Sequence, residues 1–340
     1  MPREPETILV LRLGGIGEVL AVTPALRAVR GRFPRARIAL LAERPAGEAA
    51  AAFVDDWIVA DAPYRAGPAD LLRPGLYAQA LRLAERILRR RWDLLLDFHH
   101  LFAWRHALKP LLVSVLSRAP RRVGFGRAFF RTDAVPDPDG LSMAERNGPF
   151  LAALGLELED PRPVLRVAAA DAEWIDALLS ALGVDGRPVA VCPGSSREVQ
   201  RWGAGRFREA AARLSSRGRI VLVGSPSERA LCDAAAPPGA VNLAGRTTFG
   251  RLAALLARAS VLVANDSGPL HMAYALGTPV VGIFRPGEVR RWGSYPDARR
   301  FRALTREGPG AETGATLPLV SVDEVVRAAE ELMHAHPPRP

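Results

Sequence analysis

Three glycine-bearing turns hold most of the residues able to do chemistry in this chain. The first is GGIGEVL, Gly14 to Leu20, directly after an apolar run. Gly14, Gly15 and Gly17 let the backbone turn sharply and approach a ligand, while the following helix aims its N–H groups at whatever binds. Glu18 falls in the first turn of that helix, at the sheet edge where α/β folds bind ligands. It is either a catalytic group or a plain complement to the helix dipole. As a dinucleotide fingerprint the loop is incomplete, because Leu20 stands where a third small residue belongs. A phosphate loop of the Walker type is excluded, since the single lysine, Lys109, follows Leu108 rather than a glycine.

The second turn is PGSSREVQRWG, Pro193 to Gly203. Gly194, Ser195 and Ser196 offer small residues, N–H groups and two hydroxyls, with Arg197 and Arg201 close behind. Such a set cradles phosphate, or is an ordinary polar loop. The third, NDSGPLHMAYALGTPVVGIF, runs from Asn265 to Phe284. An apolar strand ends at Asn265-Asp266, turns through Ser267-Gly268 and enters a helix with Pro269 near its start. Anions bind at such helix starts, and His271 in the first turn is placed to donate to one. Asp266 is alternatively an N-cap, and His271 a satisfied core side chain.

These turns must be positioned by strands and helices. Apolar runs at Ile8–Leu13, Ile38–Ala42, Trp57–Ala60 and Leu94–Asp97, then at Val189–Pro193, Ile220–Gly224, Val261–Asp266 and Val280–Phe284, read as strands. Their continuity predicts burial on both faces, as in a parallel sheet. Helical stretches between them, such as Tyr77–Arg91, Trp174–Leu182, Phe207–Arg217 and Leu252–Ala257, predict a doubly wound α/β architecture. A Pro- and Gly-rich break divides the chain into two Rossmann-like domains, 1–165 and 166–340, expected to face a central cleft. Ser321 and Glu324 predict a capping box and a helix to about His334, which can pack back on the N-terminal domain.

Composition narrows the class. Two cysteines, Cys192 and Cys232, form no CxxC, which argues against a disulfide framework or structural zinc and fits a reducing compartment. The start is too short and interrupted for a signal peptide, and no apolar run approaches a membrane span, so a cytoplasmic location is expected. The net charge is +10, carried almost wholly by arginine. That reflects genomic base composition, an anionic partner, or both. No nucleic-acid motif accompanies the charge, so no nucleic-acid partner is expected.

In order and spacing the motifs resemble glycosyltransferase family 9, the ADP-heptose heptosyltransferases of lipopolysaccharide core assembly. The resemblance covers ILVLRLGGIGEVLAVTPALRAVRGRFPRARIALLAE, RAPRRVGF from Arg118 to Phe125, PGSSREVQRWGAGRF and VLVANDSGPLHMAYALGTPVVGIF. It implies the GT-B fold, an acceptor site in the N-terminal domain, a donor site in the C-terminal one, and neither metal nor other cofactor. It also implies Glu18 as general base, in place of the family's usual aspartate. Ser195, Ser196 and Arg201 are implied as phosphate contacts, with Asp266, Ser267, Gly268 and His271 on the donor loop. By looser alignment Glu228 reaches the donor ribose and Thr247 the base. The family's lysine before Arg/His-Trp is Gln200 here, with Arg201 adjacent to supply positive charge. His99, His100 and His106 read as acceptor-side cleft residues, with no carboxylate completing a metal set.

The function implied is inverting, metal-independent transfer of a heptose from ADP-heptose to a phosphorylated, lipid-linked inner-core acceptor. Attachment to the anionic inner face of the inner membrane follows as an expectation. Alternatives are a family 9 enzyme with another nucleotide sugar or acceptor, a non-catalytic nucleotide-sugar binding protein, and, more remotely, an NAD-linked dehydrogenase.

Overall fold

The computed structural model describes residues 4–60, 74–100, 104–137, 140–293, 297, 299–311 and 317–337. The chain divides into two compact units, Met1–Pro163 and Val164–Pro340. In chain order the first holds β1 (Thr7–Leu11), α1 (Ile16–Arg32), β2 (Arg37–Ala42), β3 (Asp56–Val59), α2 (Pro74–Leu88), β4 (Leu94–Asp97), α3 (Trp104–Ser117), β5 (Arg121–Phe125), β6 (Asp133–Val135) and α4 (Asn147–Ala152). Its six strands lie in the order β3-β2-β1-β4-β5-β6, every pair parallel. Ile8, Leu9, Val10 and Leu11 are all fully buried, so both faces of β1 are covered and its sequence shows no alternation. Leu9, Leu11, Leu41 and Leu95 pack with Ile87 of α2 and Val113 of α3. Elsewhere in the unit, α4 packs against α1, and Phe150 of α4 stacks on Phe98 at 4.0 Å. Pro24 sits inside α1 and cannot donate to the Leu20 carbonyl; the Thr23 hydroxyl donates to it instead, at 2.7 Å.

The second unit holds α5 (Ala169–Ala181), β7 (Val189–Cys192), α6 (Ala204–Leu214), β8 (Ile220–Leu222), α7 (Arg229–Ala235), β9 (Val241–Asn242), α8 (Phe249–Arg258), β10 (Val261–Asn265), α9 (Gly268–Ala275), β11 (Val280–Ile283), α10 (Pro286–Glu288), β12 (Phe301–Leu304) and α11 (Val322–Ala335). Its parallel sheet runs β12-β11-β10-β7-β8-β9. Counted from its own first strand, that is the same order as in the first unit. Val191, Leu222, Val263 and Ile283 form one core with Phe207 of α6 and Val325, Ala329 and Leu332 of α11. The capping box at α11 is present, with Ser321 accepting from the Glu324 N–H. The buried face of this last helix therefore belongs to the core of the second unit itself.

All eight strands read from the sequence form, with no end shifted by more than two residues. Four others, β5, β6, β9 and β12, were not anticipated. β5 opens on Arg121-Arg122 and β12 carries Arg302, while β6 and β9 are three and two residues long, so none reads as a continuous apolar run. Among the described residues no helix is long and apolar enough to cross a membrane.

Trp202 is 1% exposed, meets Phe207 edge-on and donates through Nε1 to the Val320 carbonyl at 2.9 Å. Trp202→Ala is expected to destabilise the second unit by about 3–5 kcal/mol, read as a lower denaturant midpoint. A midpoint within error of wild type contradicts this packing.

Candidate active site

β1 lies between β2 and β4, so the strand order reverses there and the loops after β1 and β4 diverge. Open α/β sheets bind ligands at this switch point. The first glycine turn occupies it. Gly14 has φ +129°, a conformation side chains disfavour, and a Cβ there would lie 3.2 Å from Cγ of Glu18. At Gly15, the α1 N-cap, a Cβ would lie 3.1 Å from Glu18 Oε2. Glu18, half-buried, thus folds back over its own loop, and glycines leave room for it. Gly17 is buried in the second position of α1.

Beneath the loop lies a buried polar network from the end of β4. His99 Nε2 accepts the Leu13 N–H at 3.2 Å, so its proton is on Nδ1, 3.1 Å from Asp97 Oδ1. The other Asp97 oxygen is paired with Arg131. Burial alone would raise the Asp97 carboxyl, but hydrogen bonds from His99 and Arg131, with the Arg131 charge, outweigh it and hold it below the usual range. Burial pushes His99 down, against the pull of Asp97, so the ring stays neutral. Arg12, 4% exposed, donates to the carbonyls of Glu18 at 3.1 Å and Phe98 at 2.7 Å. The Glu18 loop is therefore fixed at two points. His100 turns elsewhere, pairing with Asp137 at 2.8 Å and stacking on Phe125. Both histidines thus have carboxylate partners. Among the described residues no group of three or more His, Cys, Asp or Glu is placed to hold a metal ion. The side chain of His106 lies outside the described residues.

In the second unit the order reverses between β7 and β10, and the other two turns sit there. Asn265 ties them together, donating to the Pro193 carbonyl at 2.8 Å and accepting the Trp202 N–H at 3.0 Å. Gln200 donates to Asp266 Oδ2 at 3.0 Å. The Ser195 hydroxyl, 3% exposed, is 3.1 Å from both Gln200 Oε1 and the Asp266 carbonyl, and its one proton serves either. His271 Nε2 lies 3.4 Å from Asp266 Oδ1. Arg201 clasps the Ser195 carbonyl through Nε and a terminal nitrogen, at 3.2 and 3.0 Å. Ser196 is exposed. The N-cap of α9 is Ser267 rather than Asp266, and it makes no side-chain cap bond; Pro269 has no N–H, and the Leu270 N–H donates to the Ser267 carbonyl at 3.1 Å.

Glu228 accepts the N–H and hydroxyl of Ser225, both at 2.8 Å, and crosses the Gly194 backbone so closely that a Cβ there would lie 2.1 Å from it. Thr247 is half-buried beyond β9, just before Thr248, the N-cap of α8. Cys192 is no nucleophile, because burial, with Glu228 nearby, pushes its thiol up to about 12.

A family model described as glycosyltransferase family 9 (heptosyltransferase) matches residues 80–316. The chain belongs to this family. It is a glycosyltransferase. It is similar to the lipopolysaccharide core heptosyltransferase OpsX of Haemophilus influenzae, 20% identical over 91% of this chain and 88% of that protein. Among solved structures it resembles the family 9 glycosyl transferase of Veillonella parvula, with TM-score 0.79 and 20% identity over 97% of each chain. It also resembles the E. coli ADP-heptose lipopolysaccharide heptosyltransferase II, with TM-score 0.74 and 21% identity over 96% of this chain and 98% of that one. These likenesses show the fold, which is GT-B.

In this family 9 chain, Gly14, Gly15, Gly17 and Glu18 form one cluster in the first unit. Ser195, Gln200, Arg201, Asp266, Ser267, Gly268 and His271 form another in the second, with Glu228 against Gly194 at its margin and Thr247 farther along the sheet. Sequence reading missed Arg12, Asp97, Arg131 and Asn265. Asp97 and Asn265 each end a buried apolar run with a polar residue, and that was the available signal.

His99, lowered from an ordinary value of 6.5, resists protonation in the fold but not in the unfolded chain. Its contribution is complete above pH 6.5 and is lost as pH falls from there toward the folded value. Denaturant midpoints of the first unit are expected to fall below pH 6.5, and His99→Gln to flatten that slope while lowering the midpoint throughout. Parallel slopes for the two proteins would refute the buried neutral ring.

Proposed function

We propose that this chain transfers a heptose from ADP-heptose to a phosphorylated, lipid-linked inner-core acceptor of lipopolysaccharide, inverting the anomeric centre without a metal ion. The observation carrying the proposal is that both polar clusters sit at sheet switch points. One bears a carboxylate over a glycine turn, and the other an uncapped helix start amid hydroxyl, amide, imidazole and guanidinium groups. Family membership and the likeness to an ADP-heptose enzyme support this donor.

In the reaction an acceptor hydroxyl attacks the anomeric carbon as the bond to the nucleoside diphosphate breaks. Glu18 takes the hydroxyl proton, its carboxylate held over Gly14 and Gly15. Negative charge growing on the departing diphosphate is met by the α9 N-terminus, the Ser196 hydroxyl, His271 and the Arg201 cation, a set able to replace a metal. Ser195 and Gln200 orient Asp266, and Asp266 orients His271. Glu228 takes the ribose hydroxyls, and Thr247 lies toward the base. On this reading residues 1–165 bind the acceptor and 166–340 the donor, and the protein works at the cytoplasmic face of the inner membrane.

A second reading, another nucleotide sugar, is favoured by Gln200, whose neutral amide stands where a cation is usual and is fully engaged with Ser195 and Asp266. Calorimetry with ADP, UDP and GDP separates the two: ADP is expected to bind selectively, and preference for UDP or GDP overturns the donor assignment. Glu18→Gln is expected to lower turnover about 100- to 10,000-fold with ADP affinity unchanged. Retained turnover in that variant removes Glu18 as the base.

A further inference from the structure

α3 is apolar on two opposite faces. Val113 and Leu116 pack into the core, while Leu108, Leu112 and Val115 are 57%, 54% and 62% exposed. Their spacing sets them in one stripe along the outer side of the helix. A helix apolar all round is ordinarily buried all round, so the outer stripe lacks its counterpart. The neighbouring α2, which packs against α3, repeats the pattern. Ile87 is buried while Tyr77, Leu81 and Leu88 are 59%, 71% and 42% exposed.

Around these stripes cations outnumber anions. α3 contains no acidic residue, and Arg118 follows it, exposed. On α2, Arg82 and Arg86 are exposed, and the one acidic residue, Glu85, is bound to Arg89 at 2.6 Å. A second copy of the chain, docked by two-fold symmetry, would bring two faces of net positive charge together. An anionic bilayer instead offers phosphates to the arginines and an apolar layer to the stripes.

We propose that the α2–α3 face docks on an anionic lipid bilayer, with Leu108, Leu112 and Val115 entering the interfacial layer and Arg82, Arg86 and Arg118 meeting lipid phosphates. The assignment deepens the functional reading above and rests on its lipid-linked acceptor, for which it supplies the membrane-facing surface. Apolar side chains provide depth and the cations provide selectivity for anionic lipid, so the two contributions separate experimentally.

The test is co-sedimentation with vesicles of phosphatidylcholine alone or in equal parts with phosphatidylglycerol, with ADP binding measured on every variant. Wild type is expected to sediment with the anionic vesicles and to be released as salt rises. Leu108→Gln/Leu112→Gln/Val115→Gln is expected to partition roughly 10- to 100-fold less, and Arg82→Gln/Arg86→Gln roughly 10- to 30-fold less, with ADP affinity unchanged in both. Should the triple variant misfold, the single Leu112→Gln is expected to weaken partitioning in the same direction. Wild-type binding by stripe variants overturns the proposal, as does failure of wild type to bind either vesicle. A dimer that the stripe variant dissociates, with vesicle binding intact, assigns the face to a second copy and overturns it too. Stripe-dependent vesicle binding by a protein that does not bind ADP would sink the donor assignment and leave the docking face standing.

Discussion

In each sheet the loop after the first strand is gripped by a buried polar side chain from the end of the fourth. In the first unit His99 takes the Leu13 N–H; in the second Asn265 holds both the Pro193 carbonyl and the Trp202 N–H. The two devices differ chemically but answer one constraint. At a switch point neighbouring strands send their chains in opposite directions, leaving backbone groups without ladder partners in a buried place. A side chain has to satisfy them, and in doing so it fixes the loop that follows the strand. The Glu18 carboxylate and the Asp266–His271 pair are both held by way of this grip.

In the second cluster a neutral residue joins the two turns. Gln200 spends its amide nitrogen on Asp266 and its oxygen within reach of Ser195, so it serves as a spacer between two turns. The positive charge is carried next door by Arg201, whose guanidinium is anchored on a backbone carbonyl. Charge and positioning, which one long cationic side chain can combine, are here divided between adjacent residues.

Much of this was legible beforehand. Strands buried on both faces announce themselves as unbroken apolar runs, so eight strands, including β1, β7 and β10, were readable, and with them the three turns. The edge strands β6, β9 and β12 and the inner strand β5 were not, because β6 and β9 are too short and β5 and β12 carry arginine. Glu18 and the Asp266-to-His271 stretch were found because they sit in local motifs. Arg131 was missed because its partner Asp97 lies 34 positions away, and only the fold brings them together. The pairing of His99 with Asp97 was not read either, since nothing local shows that the aspartate two residues earlier turns back toward the ring. Long-range polar pairing is what a single sequence conceals.

The most direct test of the account is transfer itself. The purified chain is supplied with ADP-heptose and a lipid-linked inner-core acceptor, and the product is read by mass and by anomeric configuration. The account predicts a gain of one heptose, release of ADP, and an anomeric configuration opposite to that of the donor. Retention of configuration, or transfer from another nucleotide sugar with ADP-heptose left untouched, would contradict it.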